Sequence, residues 1–206
     1  MVTTWMLKDS AALEVDSPNG SERTLAQQLF RRISEAIIRG DLSAGSKISE
    51  PALARQYGVS RGPLREALEG MAAHEAARQG TTAEIAAIRA SHERYVRSQT
   101  ESTDAPPSYR MGSADADFHF LVAQASHNPT LITLLCSDLD LLLRFYRSRL
   151  RDLVGRVPRV LIEHARIVEA IEERDVDMAE LHMRRHISAA REALSELIGS
   201  TEGGES

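Results

Sequence analysis

Apolar residues recur at helical spacing along nearly the whole chain. Leu25, Leu29, Ile33 and Ile37 fall every four residues and predict one buried helix face. Thr24 with Gln27 makes a capping box at its start, and Gly40 is a natural stop. A turn-rich stretch follows over 41–46. Ser49 then predicts the cap of a second helix, with Pro51 tolerated in its first turn and Leu53, Ala54 and Tyr57 inward. Gly58 ends it, Val59 is expected as a buried staple, and Ser60 is expected to cap a third helix from Arg61 through at least Leu68. Thr81 with Glu84 makes a further capping box, and Ile85, Ile88, His92 and Tyr95 follow on one face. Residues 101–112 read as a loop. Helices are predicted over 113–126, 130–153, from Pro158 to about 173, and 176–198, with Leu131, Leu134, Leu135, Leu139, Leu142 and Leu143 inward in the second of these. No alternating stretch supports a sheet, so the predicted class is all-α.

Composition narrows the function classes. The 206 residues allow one good-sized domain or two small ones, and the hydrophobic and charged fractions, 42% and 27%, are those of a globular protein. Aromatics make up only 4%, which leaves the core to aliphatic residues and alanine. A net charge of -5 requires any nucleic-acid site to be a local feature. The one cysteine, Cys136, sits among aliphatics and reads as a small core residue; no intrachain disulfide is possible, which fits a reducing cytoplasm. No signal pattern and no membrane-spanning run is present, so a soluble, cytoplasmic protein is expected.

Two constellations carry chemistry. In residues 49–68, two short helices meet at a glycine-centred turn, pinned by Leu53, Val59, Leu64 and Leu68. That arrangement leaves Ser60, Arg61, Gly62 and Arg65 outside, at the start of the second helix. There a recognition helix presents arginine to guanine edges and its N-terminus to phosphate. Spacing alone also allows a plain helical hairpin with solvated arginines. In the second half, Asp115 and His119 lie i, i+4 on one helix, while His164 and His186 lie on two later helices. One carboxylate and three imidazoles suit a divalent metal such as Zn, Ni, Mn or Fe. Hydrogen-bonded core histidines remain the alternative, and His182 competes with His186. His127 reads as a cap or surface residue, and His74 and His92 have no partner pattern. Arg144, Arg147 and Arg151 share a face that is either solvated or, through Arg144 or Arg147, pairs with a ligand carboxylate.

The wording of both constellations is similar to one family. Leu53-Ala54-x-x-Tyr57-Gly58-Val59-Ser60-Arg61-x-Pro63-Leu64-Arg65-Glu66-Ala67-Leu68, preceded by Ile37-Ile38-Arg39-Gly40-Asp41-Leu42-x-x-Gly45, resembles the GntR family of bacterial regulators. Asp115-x-x-Phe118-His119, Asn128-Pro129-x-Leu131, Glu163-His164-x-x-Ile167 and Met183-x-x-His186-Ile187 resemble the FCD effector domain of its FadR branch. The resemblance implies a dimeric winged helix-turn-helix repressor that binds palindromic operator DNA. Its DNA contacts fall on Ser60, Arg61 and Arg65, with Gly62 and Pro63 at the helix start and Arg55 as a phosphate contact; Pro51 stands where some members have a base-contacting arginine. It also implies metal ligation by Asp115, His119, His164 and His186, with a small carboxylate effector completing the shell.

One departure stands out. Arg65-Glu66-Ala67-Leu68 runs straight into Glu69-Gly70-Met71-Ala72-Ala73, with no β-hairpin wing between them. The expected consequence is one fused helix over about 61–79, ended by Gly80. Gly70 is expected as its weak point, Leu64 and Leu68 as exposed on one face, and DNA binding as weakened. The expected organisation is a mobile tail over 1–20, a helix-turn-helix over 21–70, an antiparallel helical bundle that binds metal and effector over 71–198, and a tail over 199–206. The expected function is a ligand-responsive, homodimeric DNA-binding repressor and not an enzyme. The rivals are a wing-less sensor or dimerisation partner that does not bind DNA, and a metal-dependent enzyme.

Overall fold

The computed structural model describes residues 25–42, 49–100, 118–136 and 156–202, and among these only helices occur. They are α1 (Leu25–Ile38), α2 (Glu50–Tyr57), α3 (Arg61–Gln79), α4 (Thr82–Thr100), α5 (118–125), α6 (Pro129–Cys136), α7 (Arg156–Glu172) and α8 (Val176–Glu202).

Local signals account for most of the ends. Gly40 leaves α1 in the left-handed region at φ 80°. The Ser49 hydroxyl accepts from the Ala52 amide, and Gly58 closes α2 in the left-handed region at φ 67°. Ser60 holds the N-cap position of α3 in extended backbone, but its hydroxyl makes no capping bond. The Thr81–Glu84 box is formed both ways: the Thr81 amide donates to Glu84 Oε2 at 2.8 Å and the Glu84 amide donates to Thr81 Oγ1 at 3.2 Å. Thr24 lies outside the described residues.

A single core runs through both halves of the chain. α3 is its axis, lying chiefly against α8 and also against α1, α2, α6 and α7. Leu29 and Ile33 of α1, Leu53 of α2, Leu64 and Leu68 of α3, Leu131 of α6, Ile167 and Ile171 of α7 and Met183 of α8 are all fully buried in it. Val59 is only partly buried at its edge.

Two expectations about α3 need correction. Leu64 and Leu68 are not exposed by the missing wing; both are 0% accessible, because the neighbouring helices cover that face. Gly70 is not a weak point. It lets α8 come close: a Cβ there would stand 2.7 Å from Cγ of Arg184 and 3.3 Å from Cγ of Glu180. Arg184 is itself buried and pairs with Glu180 at 3.1 Å and Glu66 at 3.6 Å. The fused helix does run unbroken from Arg61 to Gln79, so the expected boundary at residue 70 falls inside one element.

Candidate metal centre and nucleic-acid interface

Three histidines from three helices meet in the bundle interior. His119 is on α5, His164 on α7 and His186 on α8, and all are buried. Each offers one ring nitrogen to a cluster whose members lie within 4.8 Å of one another. Nε2 of His186 is 3.3 Å from Nε2 of His119 and 3.4 Å from Nε2 of His164. Sequence periodicity explains the convergence. His164 shares the apolar stripe of α7 with Val160, Ile167 and Ile171, and His186 shares that of α8 with Ala179, Met183 and Ile187. Both rings therefore point where the aliphatic side chains point.

The ring orientations are fixed by carboxylates that the sequence pattern did not single out. Nδ1 of His119 donates to Glu69 Oε2 at 3.0 Å, and Nδ1 of His186 donates to Glu163 Oε2 at 2.7 Å. A carboxylate only accepts, so in each neutral ring the proton sits on Nδ1 and the Nε2 lone pair faces the cluster. Glu163 is in turn gripped bidentately by Arg156, at 3.0 and 3.1 Å. Burial pushes the Glu163 carboxyl up, but His186 and Arg156 outweigh it and leave its pKa below the ordinary value. The ring of His164 is stacked on Phe118, with centroids 4.0 Å apart and planes 12° apart. Behind it stand Tyr95, at 6.1 Å, and His92, at 6.5 Å, both from α4. Burial lowers the His92 pKa and favours the neutral ring.

This donor set fits a divalent cation. Inward lone pairs on His119 and His186 at 3.3 Å repel one another unless something positive lies between them. Two nitrogens each ~2.1 Å from one ion at a tetrahedral angle are about 3.4 Å apart, and the observed separations match that edge. His182 lies outside the cluster, and His186 lies within it. Asp115, the fourth expected ligand, and Arg144 and Arg147, the expected effector contacts, lie outside the described residues.

The nucleic-acid side is different in character. Arg55, Ser60 and Arg61 are exposed around the turn between α2 and α3. The other two expected contacts lie closer to the protein. A Cβ on Gly62 would stand 2.8 Å from Cδ of Arg191, so this half-buried glycine lies against a side chain of α8. Arg65 is buried and turned inward, where NH2 donates to Glu69 Oε1 at 3.0 Å and NH1 is 3.6 Å from Glu50 Oε2. It lies one helical turn from Glu69, and a buried guanidinium follows its carboxylates. Glu50 also accepts from Nε of Arg61 at 3.3 Å. Burial raises the pKa of Glu50, against the opposing pull of Arg65 and Arg61.

The orienting carboxylates had weak signals in the chain. Arg65 and Glu69 stand i, i+4, and Glu163 precedes a candidate ligand, but neither spacing names a partner fifty or twenty-three residues away.

Residues 25–78 match the bacterial regulatory proteins of the gntR family, and residues 63–189 match the FCD domain. The two matches share 63–78, which lies wholly within α3. The chain is 25% identical to an uncharacterised HTH-type transcriptional regulator, YdhC, of Bacillus subtilis, over 208 positions covering 83% of this chain and 91% of that one. It is 27% identical to the Glc operon transcriptional activator of Escherichia coli, over 214 positions covering 90% and 83%. Both alignments are longer than the part of this chain they use, so each relative carries residues that this chain lacks. Among solved structures, Escherichia coli McbR/YncC has the same fold, with a TM-score of 0.54 at 15% identity, covering 86% of this chain and all of that one. So does Lar, described as controlling the agr system of Listeria monocytogenes, with a TM-score of 0.52 at 17% identity and the same coverages. These matches concern regulators and not enzymes. The chain belongs to the gntR family of bacterial regulatory proteins and carries its FCD domain, fused to the helix-turn-helix through one helix.

Proposed function

We propose that this protein is a ligand-responsive transcription regulator whose helical domain holds a divalent metal ion on His119, His164 and His186, with Asp115 as a further ligand. The observation that carries the reading is the meeting of three buried imidazoles, with Nε2 of His186 at tetrahedral-edge spacing from Nε2 of both His119 and His164, and with His119 and His186 aimed by carboxylates. A small carboxylate metabolite would complete the shell, with Arg144 or Arg147 pairing with it. The protein would act in the cytoplasm as a homodimer, presenting Arg55, Ser60 and Arg61 of each copy to a palindrome. Effector binding changes operator affinity only so far as the effector prefers one arrangement of the dimer over another. The sense of control, repression or activation, follows from operator position; the Escherichia coli relative is described as an activator. The test has two parts: equilibrium dialysis against Zn(II), and selection of duplexes from a randomised pool with and without the metal. The reading expects about one ion per chain and a recovered palindrome.

A second reading has its own support. α3 is continuous, Arg65 is turned inward and Arg191 of α8 lies over Gly62, so the DNA-facing surface is smaller than a winged domain offers. With fewer cations against the phosphates, fewer counterions are released and binding depends less steeply on salt. In this reading the chain is a sensor or dimerisation partner with little operator affinity of its own. A salt titration on the selected duplex separates the two: nanomolar, steeply salt-dependent binding favours the regulator.

A further inference from the structure

A line of charged side chains runs from the histidine cluster to the helix-turn-helix. His119 Nδ1 meets one oxygen of Glu69 at 3.0 Å, and the other oxygen of Glu69 meets Arg65 at 3.0 Å. Arg65 lies 3.6 Å from Glu50, the first residue of α2, and Glu50 accepts from Arg61 at 3.3 Å, on the exposed turn. Glu50, Arg65, Glu69 and His119 are all buried, so bulk solvent screens their interactions little. The line exists because α3 is one helix: Arg65 belongs to the DNA-reading segment, Glu69 to the bundle, and four residues of unbroken helix put them on one face.

We propose that Glu69 is a positioning residue shared by the two sites, so that occupation of the histidine cluster by a metal ion tightens the hold on Arg65 and through it on α2. The proposal rests on the metal reading given above. With Nε2 coordinated, His119 donates its Nδ1 hydrogen more strongly, and the Glu69 carboxylate that receives it is held in place for Arg65. Arg65 cannot shift without leaving the buried Glu50 with only the exposed Arg61 beside it, so α2 is held from within the bundle as well as from the turn. Glu163 provides an internal control. It aims His186 in the same way, but its other partner is Arg156 of its own helix, and among the described residues no charged contact leads from it to α2.

The test is hydrogen exchange at the amides of 50–57, with and without saturating Zn(II), on the full chain. Zinc affinity is measured alongside for wild type, Glu69→Gln and Glu163→Gln. Zinc is expected to slow exchange in α2 of the wild type by at least about fivefold. Glu163→Gln is expected to weaken zinc about 10–100-fold and, once saturated, to show the same slowing. Glu69→Gln is expected to weaken zinc comparably and to show no slowing. Should Glu69→Gln not fold, Glu69→Asp keeps the charge but cannot span both partners, and the slowing is expected to shrink. A wild type that binds zinc with unchanged α2 exchange, or a Glu69 variant that keeps the full slowing, overturns the shared role and leaves the metal reading standing. A wild type that binds no zinc removes both.

Discussion

The DNA-facing turn and the histidine cluster are built on opposite principles. The turn is local in sequence: Ser49, Gly58 and the pinning leucines lie within twenty residues and define two short helices. The cluster is non-local, with ligands on three helices and orienting carboxylates on a fourth helix and beside His164. Local wording determined the shape of the turn but not which of its side chains would face out. That depended on what covers α3, and with no wing the cover is α8. Gly62 lies against Arg191 of α8, and Arg65 turns in to Glu69 and Glu50.

This comparison predicts effects of graded size. The largest concerns the claim that the reader segment and bundle share one core. Leu68→Ala should cost about 2–5 kcal/mol in denaturant unfolding, the loss expected at a fully buried leucine. An effect under about 0.5 kcal/mol would mean that this face of α3 is exposed after all. Next is the role of carboxylates at the cluster. Glu163→Gln should lower zinc affinity about 10–100-fold in a competition titration, while leaving the helix content seen by circular dichroism unchanged.

Gly70 sharpens the contrast through a sign. A mid-helix glycine with open space around it gains about 1 kcal/mol on change to alanine. Here the new methyl group meets Arg184 near the base of its side chain, so Gly70→Ala should destabilise by about 1–3 kcal/mol. Thermal unfolding of the purified variant decides between the two signs.

The smallest effect is at the start of α4. Thr81→Ala should cost about 1 kcal/mol by removing the cap. Its partner Glu84 has a pKa held down to about 2 by the Thr81 amide, His127 and the Thr81 hydroxyl. A depressed carboxyl stabilises the fold fully above its unfolded pKa, and the contribution fades as pH falls toward the folded one. The stability difference between wild type and Glu84→Gln should therefore be constant near neutrality and shrink from about pH 4.5 down toward 2. A difference that grows on acidification would contradict the assignment.

Much of the fold was legible because its signals are short-range. Gly40, Gly58, the Thr81–Glu84 box and the fused span 61–79 ended by Gly80 each follow from a few adjacent residues. The four-residue apolar period likewise placed Leu29 and Ile33 inside. His119 was legible as a candidate from Asp115 four residues before it, His164 from the apolar face it shares with Ile167 and Ile171, and His186 from the Met183-x-x-His186 wording, but nothing in the chain named Glu69 as the partner of His119. The expected weakness of Gly70 and exposure of Leu64 were errors of one kind. Both judged α3 by its own sequence, when its properties depend on α8 lying along it.

The cluster's capacity to hold a cation is the central claim, and direct zinc titration by calorimetry tests it most directly. Metal-free protein should take up one Zn(II) per chain, and His119→Gln and His186→Gln should each reduce that affinity by more than about a hundredfold, beyond what loss of an orienting carboxylate does. Heat without saturation at one equivalent, or an isotherm the two substitutions leave unchanged, would show that the three imidazoles are core residues and nothing more.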